Sequence, residues 1–119
     1  DYLVKDGKTN TSRVCTKETP GAKAARLHYR VTGTRNENGT VYSLVEIRLD
    51  TGRHHQIRVQ MAHAGMPLLG DQRYGSEESR EVSTQLGIRT IRLQAVKLAF
   101  CHPTSGKRVC YELTDKLTL

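Results

Sequence analysis

Between residues 26 and 34 apolar and polar side chains alternate, with Leu27, Tyr29 and Val31 set against Arg26, His28 and Arg30. A period of two is that of a strand with one face toward a core. Asn36-Glu37-Asn38-Gly39 follows, and its Asn-Gly step tolerates the positive φ of a tight hairpin turn. Residues 40–50 alternate again, with Val41, Val45, Ile47 and Leu49 on one face and Glu46, Arg48 and Asp50 on the other. From Thr51 to Ala64 the spacing becomes helical, and Ile57, Met61 and Ala64 form one apolar stripe. Thr51 is the expected N-cap, Gly65 the stop, and Pro67 prevents the helix from resuming.

The flanks are less periodic. Residues 1–25 predict a short strand or two joined by loops. Residues 65–90 read as irregular, punctuated by Gly70, Gly75 and Gly87, with a helical turn or two over Glu77 to Leu86. Residues 91–101 and 107–113 predict a second hairpin, turning through His102-Pro103-Thr104-Ser105-Gly106. The order hairpin, helix, irregular crossing, hairpin gives an α+β fold with a mostly antiparallel sheet.

Composition narrows the class. A chain of 119 residues, 36% hydrophobic and 26% charged, is one soluble globular domain or part of one. Its apolar runs are too short to span a membrane. The opening Asp1-Tyr2-Leu3-Val4-Lys5 has neither Met nor a hydrophobic leader, and reads as the middle of a longer protein. Cys15, Cys101 and Cys110 are odd in number and lack close pairing, which favours reduced thiols and a cytoplasmic location over a disulfide framework. Cys101 and Cys110 are placed to face each other across the second hairpin, as reduced core thiols. No C-x-x-C or H-E-x-x-H occurs, so no metal site is expected. The net charge of +7 and pI near 9.6 suit an acidic partner, of which nucleic acid is the commonest, although many basic proteins bind nothing acidic. One Phe and no Trp argue against a row of aromatics stacking on single-stranded bases.

The candidate chemistry concentrates in Thr51-Gly52-Arg53-His54-His55-Gln56-Ile57-Arg58, where a strand hands over to a helix. A helix start presents free N–H groups and a partial positive charge that suit a phosphate. Arg53, His54 and His55 reinforce that potential; the plainer reading is a solvated basic first turn. Arg58 lies about 100° from Ile57, at the edge of the apolar stripe. A half-buried Arg there wants a carboxylate, unless it snorkels to water over its apolar neighbours.

These residues resemble a known signature. Thr51-Gly52-Arg53-x-His55-Gln56-Ile57-Arg58 is similar to the T-G-R-x-H-Q-I-R motif of the RluA-type RNA pseudouridine synthases. His63-x-Gly65-x-Pro67-x-x-Gly70-Asp71-x-x-Tyr74-Gly75 resembles the run that follows it in that family. Leu93-x-Ala95, then Leu98-x-Phe100-x-His102-Pro103 and Gly106, resembles its closing hairpin. The three stretches keep the family's order over residues 41–113. The chain departs from the family at His54, where Thr is frequent, and at Gln60 and Gln94, where His is frequent.

The resemblance implies an isomerase that detaches uracil from its ribose, rotates it and reattaches it through carbon, without metal or organic cofactor. It implies that residues 1–119 are the C-terminal part of the catalytic domain. A single Asp is the family's nucleophile, in an earlier R-L-D-x-x-T-S-G motif that this chain lacks; a Tyr that packs on the uracil is expected upstream too. Arg48-Leu49-Asp50 begins like that motif but continues Thr51-Gly52-Arg53, so Asp50 is not the expected nucleophile. Arg58 is assigned the supporting catalytic role, pairing with an Asp outside this chain. Arg53, His54, His55, Gln56, Arg73 and Tyr74 are the expected RNA-binding residues, with His55 and Gln56 bracing the cleft or touching the substrate backbone. The expected partner of the monomeric protein is ribosomal or transfer RNA, with no membrane. The competing reading is a non-catalytic RNA-binding module. A histidine-based hydrolase or metal enzyme built on His54, His55, His63 or His102 has no ligand spacing to support it.

Overall fold

The computed structural model describes residues 1–37, 39–101, 108–112 and 117–118, with 98–101 and 108–111 described through their backbone alone. The chain opens with β1 (Tyr2–Asp6), β2 (Thr11–Cys15) and the short β3 (Lys23–Ala24), which form an antiparallel sheet in the order β2-β1-β3. The long hairpin follows, β4 (Leu27–Glu37) and β5 (Thr40–Leu49). Its register sets Leu27 opposite Leu49, Tyr29 opposite Ile47 and Val31 opposite Val45, and it slips by a bulge between Val31 and Gly33. Gly39 turns the chain at φ 82°, a value that suits glycine, and its N–H is held by Asn36 Oδ1 at 3.2 Å. Then come helix α1 (Gln56–His63), helix α2 (Glu77–Gln85) and a final antiparallel pair, β6 (Lys97–Cys101) and β7 (Arg108–Glu112). The α+β class with antiparallel pairing is as the sequence predicts. The turn through His102–Gly106 lies outside the described residues. Register places Cys110 opposite Ala99 and Cys101 opposite Arg108, so the two cysteines are not cross-strand partners.

The two helices start differently. Ser76 caps α2, accepting the Ser79 N–H at 3.0 Å, and Glu77 and Glu78 meet the positive end of its dipole. Helix α1 has no acidic residue in its first turn and no side-chain cap. It begins at Gln56 and not after Thr51, because Thr51 is engaged elsewhere: its hydroxyl accepts the Arg26 N–H at 2.9 Å and donates to Gln56 Oε1 at 2.8 Å. The N-cap position falls to His55, at a left-handed φ of 53°.

The core is small. Leu3, Ala25 and Val59 are buried together, with Val14 and Tyr74 packed against them, and Met61 is buried as well. Strands β1 and β2 thus meet α1 through Val59, while Met61, about 200° further round the helix, is buried apart from that cluster. Of the expected Ile57–Met61–Ala64 stripe Met61 is buried, but Ile57 is only half-buried and Ala64 exposed, and the residue that joins the core with β1 and β2 is Val59. Among the described residues no helix is long and apolar enough to cross a membrane.

Candidate functional site

The loop before α1 is tied by one side chain. Gln56 is 3% exposed, and its Oε1 accepts from both Thr51 Oγ1 and the Arg53 N–H (2.9 Å), while its Nε2 donates to Arg26 O at 3.1 Å. Every polar atom of that amide serves the loop, which brings β4 and β5 to the helix start. Arg53 is exposed and anchors itself through Nε to Ala24 O at 2.8 Å.

Behind this loop the histidines join a second network. His54 Nδ1 lies 2.8 Å from Ser12 Oγ, and His55 Nδ1 lies 2.7 Å from the Tyr74 hydroxyl. That hydroxyl accepts the Ser12 N–H at 3.0 Å, which leaves its own proton for His55 Nδ1. The two imidazoles stack at 3.8 Å between centroids. Burial lowers both histidines below their ordinary range; nearby Lys5, Arg73 and Arg58 add to this for His54, and the neighbouring His54 with Arg58 and Arg73 for His55, against a smaller opposing pull from Asp71. Both are therefore neutral at pH 7, and neither adds the positive charge expected of the helix start. Arg53 carries that charge.

Arg58 meets a carboxylate of its own chain. Its Nε and Nη2 each donate to Asp71 at 2.9 Å, one to each oxygen, in the two-toothed fork of an Arg–carboxylate pair. Asp71 also accepts the backbone N–H groups of Arg73 and Tyr74 at 3.1 Å. Its side chain is 1% exposed and that of Arg58 23%. Burial pushes the Asp71 carboxyl upward, but the Arg58 fork and the two N–H bonds outweigh it and hold the group below its usual range. Tyr74 supports the guanidinium from its face, with the ring centroid 5.0 Å from Cζ. The loop that delivers Asp71 has no slack. Gly70 sits at φ 82°, and a Cβ there would lie 2.0 Å from Thr90 O; a Cβ on Gly75 would lie 2.2 Å from Asp71 O.

Of the residues expected from sequence, His54, His55, Arg58 and Tyr74 thus form one connected cluster. Arg73 is exposed beside it, bonding Asn10 O through Nη1 at 2.6 Å. Asp50 stands apart at the end of β5, where His28, Arg26 and Arg48 surround it. Two members of the cluster are not among the residues expected from sequence. Asp71 had a signal, the Gly-Asp step of the second quoted stretch and an Arg in need of an acid. Ser12 had none, because one hydroxyl in a polar strand looks like any other. Among the described residues no cluster of His, Cys, Asp and Glu is placed to hold a metal.

Residues 1–63, more than half of the 119, match the family model described as RNA pseudouridylate synthase. The chain belongs to that family. Family membership accounts for the T-G-R-x-H-Q-I-R resemblance and is borne out by individual relatives. The chain is 38% identical over 102 residues to an uncharacterized RNA pseudouridine synthase of Chloroflexus aurantiacus, covering 85% of this chain and 29% of that protein. It is 41% identical over 106 residues to the ribosomal large subunit pseudouridine synthase D of Haemophilus influenzae, covering 82% and 31%. The protein of that name from Zymomonas mobilis is 43% identical over 93 residues, covering 76% and 28%. Among solved structures, human RNA pseudouridylate synthase domain containing 1 superposes with a TM-score of 0.74 at 25% identity, over 96% of this chain and 46% of that one. The chain spans about a third of the length of the curated relatives it matches.

Proposed function

We propose that these 119 residues are the C-terminal part of a pseudouridine synthase catalytic domain, which isomerises uridine to pseudouridine in ribosomal RNA. The nucleophilic Asp belongs to polypeptide outside this chain. The observation that carries the reading is the state of Arg58. Its Nε/Nη2 edge is held by Asp71, and among the described residues nothing bonds Nη1. A nucleophilic carboxylate must stay ionised in a partly dry site, and a guanidinium edge within hydrogen-bond reach keeps it so. Asp71 cannot be that nucleophile, since it is buried and fully bonded.

Arg53 and Arg73 are exposed beside the cluster and serve as phosphate contacts, which position RNA without reading sequence. Gln56 and Tyr74, together with His54 and His55 through their Nδ1 atoms, act as braces within the fold. The ribosomal preference follows the names of the relatives; transfer RNA is the alternative substrate. The protein works as a cytoplasmic monomer without cofactor.

The test uses the longer protein that contains this chain, incubated with unmodified large-subunit ribosomal RNA and then with transfer RNA. Carbon-linked uridine is the expected product, and none on either RNA contradicts the reading. The absence of R-L-D-x-x-T-S-G from these residues favours one further expectation. Residues 1–119 alone bind RNA in a salt-dependent way but form no pseudouridine. Each phosphate contact adds roughly 0.7 to 0.9 to the log–log salt slope, so Arg53→Ala with Arg73→Ala flattens it by up to about 2.

A further inference from the structure

The guanidinium of Arg58 has two edges that can accept a carboxylate, Nε/Nη2 and Nη1/Nη2. We infer that Asp71 is the positioning residue for Arg58, taking the first edge so that the second is presented in a fixed direction to the nucleophilic carboxylate. The inference rests on the reading of Arg58 given above, and deepens it.

Three observations fix the direction. Asp71 is itself immobile: the backbone N–H groups of Arg73 and Tyr74 hold its Oδ1 at 3.1 Å, so the acid is oriented before it meets the arginine. Its loop is pinned, because Gly70 and Gly75 approach neighbouring backbone too closely for any side chain. The guanidinium sits over the Tyr74 ring, 5.0 Å from Cζ to the centroid, and the Tyr74 hydroxyl is in turn held by the Ser12 N–H and His55. The two-toothed edge contact and the ring contact together restrain a planar group at the end of a flexible stem. A lone Arg would reach the same place only by surrendering that freedom when the nucleophile forms. A buried Asp whose sole role was structural would need no arginine with a spare edge.

The measurement is made on the longer protein with unmodified large-subunit ribosomal RNA. Asp71→Asn keeps the shape but lacks the second acceptor oxygen. At saturating RNA its single-turnover rate falls about tenfold or more, while RNA affinity stays within about twofold. The acid limb of its rate profile moves to higher pH, because a misdirected Arg58 supports the ionised nucleophile less well. A purely structural loss would lower the rate at every pH and leave that limb in place. In an Arg58→Met background, adding Asp71→Asn costs no further rate, since Asp71 acts only through Arg58. The double variant carries neither charge, so this comparison survives if Asp71→Asn alone folds poorly. An unmoved acid limb, or an equal loss from Asp71→Asn with and without Arg58, overturns the inference. The parent protein is measured first: no pseudouridine there sinks the functional reading and this inference with it. Product from the parent with an additive double variant sinks the inference alone.

Discussion

The cluster around α1 and the β4–β5 hairpin satisfy their needs in opposite ways. In the cluster, the side chains of Gln56, Tyr74, Arg58 and Asp71 find partners within the chain. Gln60 Oε1 nearby is the one buried side-chain acceptor without a partner among the described residues. The hairpin, by contrast, pairs well along its own ladder yet leaves its apolar face open. Tyr29 is 51% exposed, Val31 49%, Val41 61% and Leu49 47%. A two-stranded hairpin with a bare apolar face is marginal by itself, and a contiguous exposed apolar patch marks an interface. The cluster is closed by the chain's own residues, whereas the apolar face of the hairpin is covered by none of the described ones. The polar site is locked locally, whereas the sheet that supports it is built to be covered.

The largest expected effect lies in the cluster. Arg58→Met strands the buried Asp71 charge, at a cost of about 3–5 kcal/mol by chemical denaturation. Adding Asp71→Asn recovers at least half of that, since no orphan charge remains. If Arg58→Met is harmless, the fork is not the lock described here. Next are the two glycines, one in each region. Gly70→Ala combines a left-handed φ with a collision against Thr90 O, and costs about 3 kcal/mol or more. Gly39→Ala has the same φ with open space around it, and costs about 1 kcal/mol. Equal costs at both positions erase the contrast between tight cluster and open hairpin.

A smaller effect tests the open face. In the longer protein, Val31→Asp costs about 1–3 kcal/mol if polypeptide outside this chain covers the hairpin, and less than about 0.5 kcal/mol if Val31 stays in water. The smallest effect is on pH dependence. His54 and His55 are depressed in the folded state, so the unfolded chain takes up protons first as pH falls through its ordinary value of 6.5. Melting temperature therefore declines between about pH 7 and pH 5.5, before the Asp71 pair titrates, and replacing both histidines by Gln flattens that decline. A melting temperature constant over this range contradicts the half-buried, neutral state of the two histidines.

Much of this was legible in the chain. Period-two alternation and the Asn-Gly step place β4, β5 and their turn, because both signals are local. The existence of α1 was legible too, but not its start. Thr51 looks like a cap until Gln56 folds back onto it, and such a contact between side chains across a loop leaves no trace in periodicity. Nor does periodicity reveal which side of α1 meets β1 and β2, so Val59 replaced Ala64. The need of Arg58 for an acid was readable from its place at the stripe edge. That Asp71 meets it, 13 residues on through a glycine-tight loop, required the fold.

The role proposed for Arg58, held by Asp71, is to keep an incoming nucleophilic carboxylate ionised. The most direct measurement is the single-turnover rate of pseudouridine formation by the longer protein and its Arg58→Met variant, beside equilibrium RNA binding, at a temperature where both are folded. The account predicts at least about a hundredfold loss of rate, with RNA affinity nearly unchanged and only partial rescue by Arg58→Lys, which offers a point charge in place of a fork. A normal rate in Arg58→Met, or a collapse of affinity with the saturated rate intact, contradicts it.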